Sequence, residues 1–208
     1  MTMFRLFAPL ALLWLAVAPA LAQPAPAPKL ATVLVTLQTS EGPIVLKLEK
    51  ERAPITTANF LRYVDQKRFD GANFYRAAKV TDGYGLIQGG LRNDPKRLFP
   101  PIAHEPTSKT GLTHVDGAIS MARAAPGTAS GDFFITIGAI PSMDADPAQA
   151  GDNQGFAVFG HVVEGMDIVR RILEAPTSPT EGEGAMKGQM LTAPIKILTA
   201  RRAPNAGT

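Results

Sequence analysis

The chain has 208 residues, 45% hydrophobic and 19% charged, with a formal charge of +3 and no cysteine. That length and balance fit one globular domain with tails and exclude wholesale disorder. The missing cysteine excludes a disulfide scaffold, thiolate metal sites and a cysteine nucleophile, while basic clusters no longer than Lys67-Arg68 and Arg201-Arg202 argue against nucleic-acid binding.

Met1 to Arg5 carries positive charge, Leu6 to Val17 is apolar, and Ala20-Leu21-Ala22 is an A-x-A cleavage pattern. The apolar run falls short of the ~20 residues that span a bilayer. Residues 1–22 are therefore expected to be a signal peptide cleaved after Ala22, leaving an exported chain without stable membrane insertion. Gln23 to Lys29 alternates proline and alanine, so 23–32 reads as an extended linker. The domain is expected over 33–202, with 203–208 as a tail.

Within the domain, Val33 to Leu37 and Ile44 to Leu48 flank Ser40-Glu41-Gly42-Pro43, a hairpin signal. Ala53-Pro54 opens an amphipathic helix to about Lys67, with Ala58, Phe60, Leu61, Tyr63 and Val64 at helical spacing. Phe74 to Gly90 reads as strand, loop, strand. Leu91 to His104 is a Pro- and Asn-containing loop, and Glu105 to Val115 is irregular. Strands follow over Gly117 to Arg123, Asp132 to Gly138 and Phe156 to Val163. A polar loop covers Ile140 to Asn153. A short helix spans Asp167 to Leu173, Pro176 to Gln189 is a loop, and Ile195 to Leu198 closes the chain as a strand. Many short strands with one early and one late helix indicate a mainly β, closed antiparallel barrel capped by helices.

His104, His114 and His161 are far apart and lack metal-site spacing. No G-x-S-x-G elbow and no phosphate-binding glycine motif occurs. Asp144, Asp146 and Asp152 lack the calcium-loop pattern and its terminal glutamate. No cofactor or metal is expected. What remains is Arg76 in an apolar surround, and one reaction needs little more. Rotation about an X–Pro amide breaks no bond, yet crosses a barrier of ~20 kcal/mol because amide resonance must be lost. An apolar pocket and one donor that favours the twisted nitrogen suffice.

Seven pieces, in order and spacing, resemble the cyclophilin-type peptidyl-prolyl cis-trans isomerases, closest to the exported bacterial kind. They are Pro54 to Phe60 (PITTANF), Phe74 to Arg76 (FYR), Leu86 to Gly90 (LIQGG), Ile119 to Ala124 (ISMARA), Ser130 to Ile135 (SGDFFI), Phe156 to Gly160 (FAVFG) and Val163 to Asp167 (VEGMD). The resemblance implies an eight-stranded antiparallel β-barrel capped by two α-helices, acting as a monomer on proline-containing polypeptides during folding in the periplasm. It implies Arg76 as the catalytic arginine and Gln88 as the residue that orients it. Phe134 matches the pocket floor, Leu86 and Met143 its aliphatic walls, and Phe156 its rim. Ala122, Arg123 and Ala124 match the edge that holds the substrate backbone.

Three departures accompany the match. The segment between Arg76 and Gln88 is longer than usual, so Tyr84, Gly85 or Leu86 could fill the place of a pocket phenylalanine. Asp132 stands where glutamine is usual, putting a carboxylate near Arg76 that would pair with it and compete with substrate. Ser142 replaces an aromatic residue, which implies weak binding of cyclosporin-type ligands. These departures motivate a second reading, a non-catalytic proline-peptide-binding or chaperone module on the same scaffold.

Overall fold

The computed structural model describes residues 30–92, 94–148 and 151–204. The expected signal peptide, most of the linker and the end of the tail lie outside them. Nine strands run in chain order: β1 (Val33–Thr39), β2 (Gly42–Leu48), β3 (Ala72–Thr81), β4 (Tyr84–Gly90), β5 (Ala118–Met121), β6 (Asp132–Ile137), β7 (Ala157–Glu164), β8 (Thr177–Ser178) and β9 (Met190–Arg202). Their order is β1-β2-β7-β5-β6-β4-β3-β9-β8, and a further β1–β9 pairing closes the first eight into an antiparallel barrel. Closure removes the exposed sheet edges that would otherwise invite aggregation. The two-residue β8 hangs on β9 outside the ring.

Helix α1 (Pro54–Asp65) starts with proline at its first turn, where the missing N–H costs nothing. Its N-cap residue, Ala53, contributes no side-chain cap. The cap comes instead from Glu105, whose buried carboxylate accepts the Ile55 N–H (3.2 Å), the Thr56 N–H (2.6 Å) and the Thr56 hydroxyl (2.7 Å). The carboxylate also meets the positive end of the helix dipole. A single turn, α2 (Thr107–Thr110), follows Glu105 within the segment expected to be irregular, so the described residues hold three α-helices rather than the expected two. The third, α3 (Met166–Leu173), buries Ile168, Val169, Ile172 and Leu173 and leaves Arg170 and Arg171 outside.

The barrel interior is aromatic. Phe60 from α1 packs on Phe69, Phe133 and Phe159 with ring centroids 5.0–5.4 Å apart, and Phe74 meets Phe133 edge-on at 5.7 Å. Alternation along β6 then decides the function of its neighbour. Phe133 points inward, so Phe134 points to the outer wall.

The long Arg76–Gln88 segment is a hairpin extension. β3 continues to Thr81, turns through Asp82-Gly83, and returns as β4 from Tyr84. Lys79 beside the turn pairs with Asp82 (2.8 Å) and with Glu174 after α3. The extra residues therefore project past α3, and the register from Leu86 onward is undisturbed: Leu86↔Thr136, Gln88↔Phe134 and Gly90↔Asp132.

Candidate active site

Arg76, Gln88, Phe134 and Ser120 lie in one register row across four strands, β3, β4, β6 and β5. A β-bulge prepares the row. Phe74 pairs with Gly89 and Arg76 with Gln88, so Tyr75 is the extra residue on β3. Without it, Phe74 in the core and Arg76 would face the same way; the bulge re-aims the arginine to the outer wall. On the other side of β3, β9 skips from Ile195, opposite Phe74, to Met190, opposite Arg76. The intervening Thr192, Ala193 and Pro194 are exposed, and Pro194 needs no ladder donor there.

A cleft of about 950 Å³ covers this row. It brings together ten of the eleven residues expected from the sequence: Arg76, Leu86, Gln88, Ala122, Arg123, Ala124, Asp132, Phe134, Met143 and Phe156. Tyr84 is the exception. Its ring lies against Gly138 and its hydroxyl donates to the Ala139 carbonyl at 3.1 Å, outside the cleft. Leu86 takes the wall position, because the hairpin carries Tyr84 one step too far along β4. Ser142 is exposed on a 3₁₀ turn and does not line the cleft.

The apolar side is built by contact. Phe134 is 3% exposed and meets Phe156 edge-on at 5.4 Å. The Phe156 N–H donates to the Met143 carbonyl at 2.9 Å, joining the two ends of the loop that carries the Met143 wall and the Phe156 rim. Arg123 anchors the same loop. It donates bidentately to Asp152 (2.7 and 3.0 Å), reaches the Gly155 carbonyl (2.9 Å), and stacks 4.9 Å from the Phe156 ring. The guanidinium pulls the Asp152 carboxyl down to about 2. Arg123 thus shapes the rim through its own ion pair.

The polar side centres on Arg76. Its Nη1 donates to Gln88 Oε1 at 2.7 Å, and Gln88 Nε2 donates to the Tyr75 hydroxyl at 2.8 Å. Burial pushes the Tyr75 phenol up and pulls the guanidinium pKa of Arg76 down. Asp132 Oδ1 accepts the Arg92 N–H at 2.8 Å, fixing the chain where it leaves β4. The expected pairing of Asp132 with Arg76 gives way to amide partners. Nε and Nη2 of Arg76 both donate to Oε1 of Gln189, at the end of the segment expected to be a loop.

Histidine 114 also acquires a setting that its isolation in the sequence concealed. Its Nδ1 lies 2.6 Å from Asp144 Oδ1 and its Nε2 3.0 Å from Ser120 Oγ. The ring stacks on Phe134, with centroids 5.7 Å apart and planes 7° from parallel. The order Asp–His–Ser has the connectivity of a hydrolytic triad. Ser120, however, is 0% exposed and paired on both sides, so no substrate carbonyl reaches its Oγ. The chain of bonds supports the pocket floor instead.

Desolvation holds the His114 pKa below 6.5, against the opposing pull of Asp144. A folded-state pKa below the unfolded one means that the unfolded chain binds more protons, so stability is lost as pH falls through this window. The urea midpoint is therefore expected to drop between about pH 7 and 5. His114→Gln should remove most of that slope, with half-buried His161, also lowered, leaving a remnant. Asp65 and Asp70 titrate below 3.8, outside the window. An unchanged slope in the variant would overturn this assignment.

Among the described residues no group of three or more histidine, aspartate or glutamate side chains could hold a metal ion. Closed barrel, outer-wall cleft and clamped arginine together define a cyclophilin-like protein. The family model of cyclophilin-type peptidyl-prolyl cis-trans isomerases matches residues 34–201. A peptidyl-prolyl cis-trans isomerase of Acinetobacter baylyi is 33% identical, over 83% of this chain and 86% of its own. Peptidyl-prolyl cis-trans isomerase B of Escherichia coli is also 33% identical, over 67% of this chain and 83% of its own. A crystal structure of a cyclophilin-type isomerase of Cryptosporidium parvum superposes with a TM-score of 0.63 at 20% identity, covering 84% of this chain and 99% of the other. Another, obtained in the presence of the dipeptide Ala-Pro, gives 0.65 at 21% identity over 83% and 99%. The chain belongs to the cyclophilin-type peptidyl-prolyl cis-trans isomerases.

Proposed function

We propose that Arg76 catalyses rotation of X–Pro bonds in exported polypeptides bound along this cleft, and that the protein works as a monomer in the periplasm. The observation that carries the assignment is the placement of Arg76, held by Gln88 one register step from Phe134. The prolyl ring enters between Phe134, Leu86, Met143 and Phe156, where burial of its apolar surface supplies affinity. The substrate backbone follows the edge at Ala122, Arg123 and Ala124. Asp132 supports this side by holding the Arg92 N–H.

Catalysis follows from what changes during rotation. A planar amide nitrogen shares its lone pair with the carbonyl and accepts no hydrogen bond. As the bond twists, the lone pair localises and the nitrogen becomes an acceptor. A cationic donor in place at that moment stabilises the twisted state alone, which is the condition for raising kcat. The Ala-Pro dipeptide present with the Cryptosporidium parvum protein supports a proline-containing ligand here. The test is a protease-free NMR exchange assay on an X–Pro peptide with Arg76→Ala as control. No rate above the uncatalysed one in the wild type would sink the proposal.

Export is supported by Arg5, the apolar run to Val17 and Ala20-Leu21-Ala22, all outside the described residues. Protein recovered from a periplasmic fraction is expected to begin at Gln23. A mature chain beginning at Met1 would overturn cleavage.

A further inference from the structure

Arg76 carries five N–H donors. Three are bonded within the protein: Nη1 to Gln88 Oε1 at 2.7 Å, and Nε and Nη2 to Gln189 Oε1 at 2.8 and 2.6 Å. One N–H on each terminal nitrogen remains for a substrate. Gln88 alone holds a single corner of the guanidinium and leaves the plane free to swing about the side-chain torsions. Gln189 takes the opposite edge with two bonds to one oxygen. Two acceptors on two edges fix a plane.

Gln189 is itself fixed from behind. Its carbonyl accepts the Ala77 N–H at 2.9 Å, one residue past Arg76, and its own N–H donates to the Met186 carbonyl at 3.1 Å. Its side chain does not line the cleft, although the next residue, Met190, does. This placement depends on the excursion of β9, which leaves β3 after Ile195 and returns at Met190.

We infer that Gln189 is the positioning residue that sets the orientation of the Arg76 guanidinium while leaving its charge unspent, an inference that rests on Arg76 being the catalytic group. Both tethers are amides, neutral acceptors that orient a cation without neutralising it. A carboxylate in the same place would hold the guanidinium as firmly. It would also satisfy the charge before the substrate twists, stabilising the ground state rather than the transition state.

Three variants of the full-length protein, assayed by NMR exchange, separate these roles. Gln189→Ala is expected to lower kcat about tenfold with KM unchanged, because orientation is lost while the apolar pocket is intact. The Arg76 Nε–H resonance, slow to exchange in the wild type, should exchange rapidly in this variant. Gln189→Glu should keep that resonance protected and still lower kcat, since the tether survives and the charge is consumed. Arg76→Ala should lower kcat further, by about 10²–10³-fold. If Gln189→Ala keeps wild-type kcat while Arg76→Ala shows that loss, the positioning role fails and the catalytic assignment stands. If Arg76→Ala itself keeps the wild-type rate, the catalytic assignment fails. Wild-type or higher kcat in Gln189→Glu would overturn the argument from charge.

Discussion

Replacing Arg76 with alanine is expected to lower kcat by about 10²–10³-fold, the scale of losing one preorganised donor to the transition state. KM should change little, because the ring pocket formed by Phe134, Leu86, Met143 and Phe156 is untouched. Folding should survive. Arg76 lies on the outer wall, and its glutamine partners are only half buried, within reach of water once it is gone. Arg76→Lys distinguishes charge from geometry. An ammonium is a point charge without the fork that engages Gln88 and Gln189 together, so recovery should be partial at most. Full activity in the lysine variant would show that charge alone suffices, and full activity in the alanine variant would remove Arg76 from the mechanism. Peptide binding that persists in Arg76→Ala without turnover is what the mechanism requires of the pocket. The same binding in a wild type without turnover would favour the chaperone reading.

Local pattern carried the strands well. Alternation and turn residues located β1, β2, β5, β6 and β7 to within a residue or two, and Pro54 marked the start of α1. The motif residues Arg76, Gln88 and Phe134 converge because they sit on sequence-near, hydrogen-bonded strands. What escaped depends on partners distant in the chain. Gln189 lies 113 residues from Arg76, in a stretch rich in glycine and proline with no periodicity to read. The full length of β9 was hidden by Pro194, which ordinarily argues against a strand and here sits where the ladder is interrupted. Glu105 looks like any loop acid until α1, 50 residues earlier, presents its uncapped N–H groups. One missed feature did have a local signal. Asp82-Gly83 between β-branched and aromatic residues is a hairpin turn, and it explains the long Arg76–Gln88 connection.

The second large effect is on stability and comes from the end of the LIQGG motif. Gly90 has φ = +132°, a conformation that residues with a Cβ rarely adopt. A Cβ there would drive into the Gly131 carbonyl oxygen and Asp132 Oδ1 and stand 2.7 Å from the Asp132 Cα. Neither can yield cheaply. Asp132 pairs with Gly90 across the ladder and holds the Arg92 N–H, and Gly131 leads into β6 just before Phe133 and Phe134. Backbone strain of ~1–3 kcal/mol and overpacking of ~1–3 kcal/mol add at this position, so Gly90→Ala is expected to cost about 3 kcal/mol or more. Gly71→Ala provides the control. Its φ of +72° is also left-handed, but nothing lies within 4 Å of the added Cβ. That variant should lose only the local conformational cost of ~1–2 kcal/mol. Urea midpoints of the two variants measure the difference, which isolates the close approach of β4 to β6. Equal losses would mean that the left-handed backbone, and not the Asp132 contact, is what requires glycine at position 90. A larger loss for Gly90→Ala would tie the motif to the site directly, since the side chain it would displace belongs to the cleft that holds Arg76 and Phe134.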